Sequence, residues 1–274
     1  MIGISGLGFV GGSMLKSFKN KCMNVGENLF FYDKYKNGGM GKIEDLLKCQ
    51  IVFLALPTIY NDELGMYDKA PIEENLKIFN DNNYDGVIVI KSTVEPETTD
   101  KLSKKYGLKI IHNPEFLTAR TAYEDFHNQT HIVLGKGLNC TDDDVDIVKT
   151  FYKKYYPDAD ISISTALESE SMKSFVNCFY SVKVQFLTEL YCLCKNNGSD
   201  YNKVKDMMLK NGWINPMHTT VPGPDGEISY GGLCFPKDTN ALNKYMKRKN
   251  TPNKVLEACI KERNEMRDDN DNCK

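Results

Sequence analysis

Short apolar runs recur through the first part of the chain: Met1 to Ile4, Leu29-Phe30-Phe31-Tyr32, Ile51 to Leu56, Val87 to Ile90, Lys109-Ile110-Ile111 and His131 to Gly135. Runs this short and continuous read as strands buried on both faces, the habit of parallel sheets. Between them lie segments compatible with helix, such as Gly12 to Phe18 and Asp142 to Tyr155, and a β-rich piece, Asp160 to Ser164, closes the series. Strand and helix signals in alternation predict an α/β fold with a doubly wound parallel sheet. The pattern then changes. From Thr165 to Asn196 there is no glycine or proline and apolar residues recur at helical spacing, which predicts one helix well beyond the usual length of about eleven or twelve residues. Phe175, Val176, Phe179, Val182, Phe186, Leu187, Leu190 and Leu193 give it an apolar surface wide enough for more than one neighbour, and a partner subunit is the expected extra one. The expected organisation is a sheet domain over residues 1–164 and a mainly helical central domain over residues 165–274.

Between the first strand and the first helix stands Gly6-Leu7-Gly8-Phe9-Val10-Gly11. In a Rossmann-type unit Gly6 permits the tight turn, Gly8 lets a pyrophosphate approach the backbone, and Gly11 allows close helix-to-strand packing. The helix that starts near Phe9 and Val10 offers free N–H groups and a positive dipole end. The second strand ends at Asp33, about twenty residues on, where a carboxylate would bind the ribose hydroxyls of NAD. A carboxylate there repels a 2′-phosphate, so NAD is favoured over NADP, with Lys34 and Lys36 nearby weighing the other way.

Ligands of such sheets bind beyond the carboxyl ends of the strands. Three of the runs lead into polar segments at that edge: one into Pro57-Thr58, another into Ser92-Thr93-Val94-Glu95-Pro96-Glu97-Thr98-Thr99, and a third into Asn113-Pro114-Glu115-Phe116-Leu117. Thr93 and Glu115 are the first polar side chains placed to look into a cleft, whereas Thr98 or Thr99 reads as a helix cap. On the long helix Lys173 and Asn177 sit four apart, share a face and could meet one substrate oxygen, although most such pairs are solvated surface. Tyr230-Gly231-Gly232-Leu233-Cys234-Phe235-Pro236-Lys237-Asp238 places a thiol beside a cation and a carboxylate behind two glycines. A cation favours thiolate; taken singly, Cys234 also fits a small buried hydrophobe. Trp213 to Tyr230, with three prolines and two glycines before Tyr230, is expected to be a loop, either a flap carrying His218 or a plain connector.

Composition removes several function classes. The chain has 274 residues, 35 basic against 37 acidic, for a net charge of −2, which argues for neither nucleic acid nor an anionic membrane as partner. No apolar run approaches the ~18 residues of a spanning helix and the N-terminus enters a strand directly, so a cytoplasmic location is expected. Nine cysteines without regular spacing suit reduced thiols better than a disulfide framework, and the spacing of Cys192 and Cys194 and the scattered histidines predict no metal site.

Six segments, in this order, resemble the UDP-glucose/GDP-mannose dehydrogenase family: GLGFVGG (6–12), IVFLALPT (51–58), KSTVEPETT (91–99), HNPEFL (112–117), ESESMKSFVN (168–177) and GGLCFPKD (231–238). The resemblance implies an NAD-dependent, two-step oxidation of the primary alcohol of a nucleotide sugar, UDP-glucose first, to the carboxylate, UDP-glucuronate, a precursor for polysaccharide biosynthesis. It implies that Cys234 attacks the aldehyde to give a thiohemiacetal and then a thioester, that Lys173 and Asn177 steady the oxyanion, and that Thr93 and Asp238 hold a water for removal of the alcohol proton. Glu115 would be the base in thioester hydrolysis. The same likeness assigns Gly6, Gly8, Phe9, Val10, Gly11, Asp33, Thr58, Thr93 and Lys237 to the cofactor, and Glu115, Phe116, Leu117, Lys173, Asn177, Tyr230, Gly231 and Gly232 to the substrate. A homodimer through the long helix is also implied by it.

Two departures stand out. Ala119 and Arg120 occupy positions where many family members have Glu-Gly, and the sequence stops at Lys274, where members usually continue into a third, C-terminal domain that closes over the nucleotide. The polar run from Arg267 to Asn272 reads as a disordered end or the start of a linker. A two-electron hydroxyacid dehydrogenase of the 6-phosphogluconate type, which leaves Cys234 without a role, and a non-catalytic NAD-binding partner subunit remain as alternatives.

Overall fold

The order of elements is β1 (Ile2–Ser5), α1 (Phe9–Asn20), β2 (Leu29–Asp33), β3 (Met40–Gly41), α2 (Ile43–Leu46), β4 (Ile51–Leu54), β5 (Tyr60–Asn61), β6 (Met66–Tyr67), α3 (Ala70–Asp81), β7 (Val87–Ile90), α4 (Thr98–Tyr106), β8 (Ile110–His112), α5 (Ala122–His127), β9 (His131–Lys136), α6 (Asp142–Tyr155), β10 (Asp160–Thr165), α7 (Ala166–Asn197), α8 (Tyr201–Lys210), α9 (Phe235–Arg248) and α10 (Lys254–Met266). The structure is a computed structural model and describes residues 1–267. The polar run beyond Arg267 lies outside the described residues. Two compact units result, one of residues 1–58 and 68–173, the other of residues 59–67 and 174–267 as far as the described chain extends.

The first unit holds an eight-stranded sheet in the order β10-β9-β8-β7-β4-β1-β2-β3. Burial on both faces follows from the period of two along each strand. Ile51 and Phe53 of β4 pack with Met14 and Phe18 of α1 and Val148 and Tyr152 of α6, whereas Val52 and Leu54 pack with Leu46 of α2, Leu76 of α3 and Leu102 of α4. Helices therefore cover both faces, the doubly wound arrangement that the apolar runs predict. β1 lies between β2 and β4 and is parallel to both, so the chain's direction of winding reverses at β1. Ligands of open sheets bind at such a reversal.

The sheet is not parallel throughout: the short β3 is antiparallel to β2, and β9 and β10 run against the central strands. β9 runs antiparallel to β8 and parallel to β10. The connection from β8 contains a 3-10 turn, Ala119–Thr121, and the six-residue helix α5, about 9 Å long, in place of a full crossover helix. Apolar content reports burial, not direction. The cap of α4 also differs: its N-cap is Glu97, in a left-handed conformation with φ of 77°, and the Thr99 N–H is met instead by the Glu170 carboxylate at 2.7 Å.

The second unit is mainly helical. It takes α7 from Ser174 onward, α8, α9 and α10, together with a two-stranded antiparallel hairpin, β5-β6, drawn from between β4 and α3. The units thus divide after Lys173, within the long helix, and not at the end of β10, because the first residues of α7 are packed into the first unit: Glu170 through its bond to Thr99 and Ser169 through its bond to His112. The segment from Trp213 to Tyr230 contains no helix or strand. Lys183 anchors it by donating to the carbonyls of Asn215 and Met217, and His218 lies against the rings of Tyr180 and Phe235.

Candidate active site

In the first unit, β1 delivers the chain to Gly6, whose φ of 89° belongs to the left-handed region. A Cβ there would sit 2.4 Å from the Ala55 carbonyl at the end of β4, so Gly6 marks the winding reversal. A Cβ at Gly11 would meet the Gly6 carbonyl at 1.8 Å, which makes close helix-to-strand packing dependent on that residue. Gly8 differs from both, because nothing lies within 4 Å of where its Cβ would be. No side chain caps α1 and no acid stands in its first turn, leaving its N-terminal N–H groups and positive dipole end available to an anion. Phe9 is largely exposed and Val10 packs against the core.

Asp33 closes the other side of this loop. Its carboxylate accepts the N–H of Leu7 at 2.7 Å and those of Tyr35 and Lys36 at 3.0 and 2.8 Å, while Lys36 Nζ donates to the Leu7 carbonyl at 2.5 Å. Burial raises the Asp33 carboxyl, but the N–H bonds from Lys36, Leu7 and Tyr35 and the Lys36 charge outweigh it, for a net shift downward. Open space at Gly8, an uncapped helix and a charged Asp33 fit a dinucleotide. Thr58 donates to the Thr93 carbonyl at 2.8 Å, and both threonines are buried.

Glu115 lies on the turn after β8, and two amines bracket that turn. Lys173 Nζ is 2.5 Å from the Glu115 carbonyl and 3.2 Å from its carboxylate. Lys91, at the end of β7, donates to Asn113 Oδ1 at 3.0 Å and to the Pro114 carbonyl at 3.4 Å. The second carboxylate oxygen of Glu115 accepts the Leu117 N–H at 2.6 Å, and Phe116 lies under the Lys173 ammonium, its ring centroid 5.3 Å away. Lys91 is 2% exposed, and burial pushes its amine down to about 7; the Glu115 charge opposes this and the Lys173 charge adds to it. His112 beside it is pushed down to about 3 by burial, then by the charges of Lys91 and Lys173. Sequence reasoning passed over Lys91, although a lysine directly after four apolar strand residues is a usable signal: a charge entering a buried edge needs a reason to be there.

In the second unit, Asp238 is the centre. It is 1% exposed, yet Asn177 Nδ2 donates to its Oδ2 at 2.6 Å, and Lys237 Nζ and the Tyr67 hydroxyl donate to its Oδ1 at 2.6 and 2.5 Å. A buried carboxylate is tolerable only with such donors. Cys234 is the N-cap residue of α9 and is exposed, one helical turn before Asp238. That position favours negative charge through the helix dipole. Lys173 and Asn177 each hold a protein carboxylate residue, Lys173 Glu115 and Asn177 Asp238. Tyr230 is buried, with its hydroxyl 3.5 Å from Thr239 Oγ1, so a ligand would meet main-chain groups there. Gly231 lies against the Arg267 guanidinium, Gly232 is exposed, and Arg120 is exposed in the turn beyond Leu117. Among the described residues no group of three His, Cys, Asp or Glu side chains could hold a metal, no disulfide is present, and no helix is long and apolar enough to cross a membrane.

Residues 27–156 match the NAD binding domain of the UDP-glucose/GDP-mannose dehydrogenase family, and residues 167–265 match that family's central domain. The chain belongs to the UDP-glucose/GDP-mannose dehydrogenase family. NAD is thus the cofactor of the family domain that the first unit carries. Among family relatives, the UDP-glucose 6-dehydrogenase of Rickettsia bellii is 30% identical over 234 residues, which are 81% of this chain and 51% of that protein. The chain spans about half the length of the curated relatives it matches. A UDP-glucose dehydrogenase from the archaeon Pyrobaculum islandicum has the same fold, with a TM-score of 0.80 at 21% identity over 95% of this chain and 67% of that one. The 3-hydroxyisobutyrate dehydrogenase of Mycobacterium tuberculosis shares the fold as well, with a TM-score of 0.73 at 14% identity over 96% of this chain and 92% of that one.

Proposed function

We propose that the chain is an NAD-dependent nucleotide-sugar dehydrogenase that oxidises the primary alcohol of UDP-glucose to the carboxylate of UDP-glucuronate. The observation that carries the reading is a buried, charged Asp238 held by Asn177 and Lys237 one turn behind Cys234 at a helix N-terminus. A charged carboxylate held rigidly beside an exposed thiol suits proton transfer next to a nucleophile.

Gly8, the N-terminus of α1 and Asp33 would hold NAD, whose bound nicotinamide supplies the hydride acceptor for each of the two oxidations. Thr93 and Asp238 are assigned to a water that takes the proton of the alcohol. Cys234 Sγ forms a bond to the aldehyde carbon, giving a thiohemiacetal and, after the second oxidation, a thioester. Glu115 takes a proton from the water that cleaves the thioester and returns the thiol. Overall the alcohol and one water yield the carboxylate, with two hydrides and three protons lost. Lys173 and Asn177 are assigned to the oxyanion. An ammonium has three donor hydrogens and a carboxamide two, so each retains a hydrogen beyond the bonds to Glu115 and Asp238. Phe116, Leu117 and the main chain of Tyr230, Gly231 and Gly232 are assigned to the sugar, and Lys237 to a cofactor phosphate.

A second copy of the chain is the proposed cover for α7. Phe175, Phe179, Phe186 and Leu193 are each more than half exposed, and the last three recur every seven residues, so they form one apolar stripe along the helix.

The deciding experiment is NADH absorbance with excess NAD and a limiting, known amount of UDP-glucose, for the protein and for Cys234→Ser. Two NADH per sugar, with the second lost in Cys234→Ser, supports the four-electron reaction. One NADH per sugar in both proteins would assign a two-electron dehydrogenase in which Cys234 has no part, and none would reject UDP-glucose as substrate for this chain.

A further inference from the structure

The hairpin β5-β6 interrupts the sequence of the first unit but clusters with the second. It pairs Tyr60 with Tyr67 and Asn61 with Met66, and two strands of two residues each are far too short to be stable alone. Contacts with α9 hold it. Tyr60 and Tyr67 are buried together with Ala241, and Arg248 donates to the Gly65 carbonyl at 2.8 Å. A further contact is of another kind: the Tyr67 hydroxyl donates to Asp238 Oδ1 at 2.5 Å, and the Lys237 ammonium stands 4.6 Å from the centre of the same ring.

A hairpin kept for packing alone needs the Tyr67 ring but not its hydroxyl, since phenylalanine would bury the same apolar surface. The hydroxyl donates to a buried carboxylate. Asp238 receives Asn177 on one oxygen and Tyr67 with Lys237 on the other, so donors on both oxygens fix the rotation of the carboxylate about its Cβ–Cγ bond. Lys237 can swing, being a long flexible amine at a helix start; Tyr67 cannot, because its ring is buried at 2% exposure.

We infer that Tyr67 is a positioning residue, whose hydroxyl fixes the orientation of the Asp238 carboxylate and whose ring face steadies Lys237. The inference rests on the role given to Asp238 above. It extends the site to a residue 171 positions earlier in the sequence, on an element that belongs by order to the sheet domain. The charged and titratable groups facing Asp238 are Lys237 on its own helix, Tyr67 on the hairpin and Cys178 on α7, whose thiol meets the Asp238 carbonyl at 3.5 Å. Burial raises the Asp238 carboxyl, and the Lys237 charge with the bonds from Lys237, Tyr67 and Asn177 lowers it further than burial lifts it. Removing the Tyr67 hydroxyl takes away one of the lowering causes.

The test uses the full chain with Tyr67→Phe, and with Arg248→Met as a variant that loosens the hairpin while leaving the hydroxyl in place. Asp238 is followed by carboxyl-carbon NMR against pH, assigned with Asp238→Asn, and turnover is measured in parallel. Tyr67→Phe is expected to move the Asp238 midpoint to higher pH and to lower kcat about tenfold with the NAD KM changed less than about twofold. Arg248→Met is expected to leave the midpoint in place. An unchanged Asp238 midpoint in Tyr67→Phe, or an unchanged kcat, overturns the inference, as does an equal shift in Arg248→Met, which would make hairpin packing the cause. A midpoint shifted in Tyr67→Phe, where the wild-type chain oxidises no nucleotide sugar, would reject the proposed activity and leave the hold of Tyr67 on Asp238 standing.

Discussion

Lys173 Nζ lies 2.5 Å from the Glu115 main-chain oxygen and 3.2 Å from its carboxylate, with both side chains largely buried. The amine assigned to the oxyanion and the acid assigned to hydrolysis are therefore one bonded group, and neither can move far without the other. Lys173→Ala is expected to lower kcat by about 10²–10³ while NAD affinity changes by less than about twofold, read by steady-state kinetics and by fluorescence titration with NAD. Equal losses in both would place Lys173 in the fold and not in the chemistry.

Lys91 links pH to stability in the alkaline direction. Its folded amine titrates near 7 against 10.5 for an ordinary lysine, chiefly because it is buried. Between those values the unfolded chain binds the extra proton, so this contribution makes the fold more stable as pH rises from about 7 toward 10.5. Lys91→Met removes the linkage. Its melting temperature relative to wild type should be highest below pH 7 and should fall as pH is raised; a constant difference from pH 6 to 9 would refute the assignment.

Glu170 works in the opposite sense. Burial raises its carboxyl to about 7 from 4.5, with the bonds from Thr99 opposing, and Oε2 has no hydrogen-bond partner. The folded state holds the proton more tightly, so this stability is complete below 4.5, declines between 4.5 and about 7, and is absent above. Glu170→Gln mimics the protonated form and keeps an acceptor for the Thr99 N–H. Thermal melts at pH 5 and pH 8 should show the variant gaining on wild type at the higher pH.

The glycine loop separates folding from cofactor binding. Gly11→Ala forces a methyl to within 1.8 Å of the Gly6 carbonyl, so it should lower the melting temperature even without NAD. Gly8→Ala meets nothing within 4 Å and should melt within a few degrees of wild type, yet lose most of the stabilisation that added NAD gives. If NAD stabilises Gly8→Ala as strongly as wild type, the dinucleotide does not lie on this turn.

Much of the sheet was legible because its strands are buried on both faces, which leaves continuous apolar runs that flanking polar segments cut cleanly. The helix Asp142–Tyr155 was equally plain, with acids in its first turn, lysines in its last and a capping box from Thr141 and Asp144. What periodicity does not carry is direction, and β9 shows it. Nor could spacing foresee that Lys173 and Asn177, one turn apart, would bond to Glu115 and Asp238 separately, since helical spacing gives the face of a side chain but not its partner. Tyr67 left no trace at all. It sits on a two-residue strand inside a stretch whose only pattern is polar, and its partner is set by tertiary packing.

The hairpin has a consequence for any attempt to dissect the molecule. The helical unit is not a continuous piece of sequence, so a cut at the junction in α7 cannot release it whole. A fragment starting at Ser174 would leave Ala241 uncovered and Asp238 without the Tyr67 hydroxyl. Expressed together, the first half would still have to supply residues 59–67 across the break before the helical unit was finished. Inheritance faces the same constraint as cloning: the helical unit cannot be passed to another protein by a single joining event.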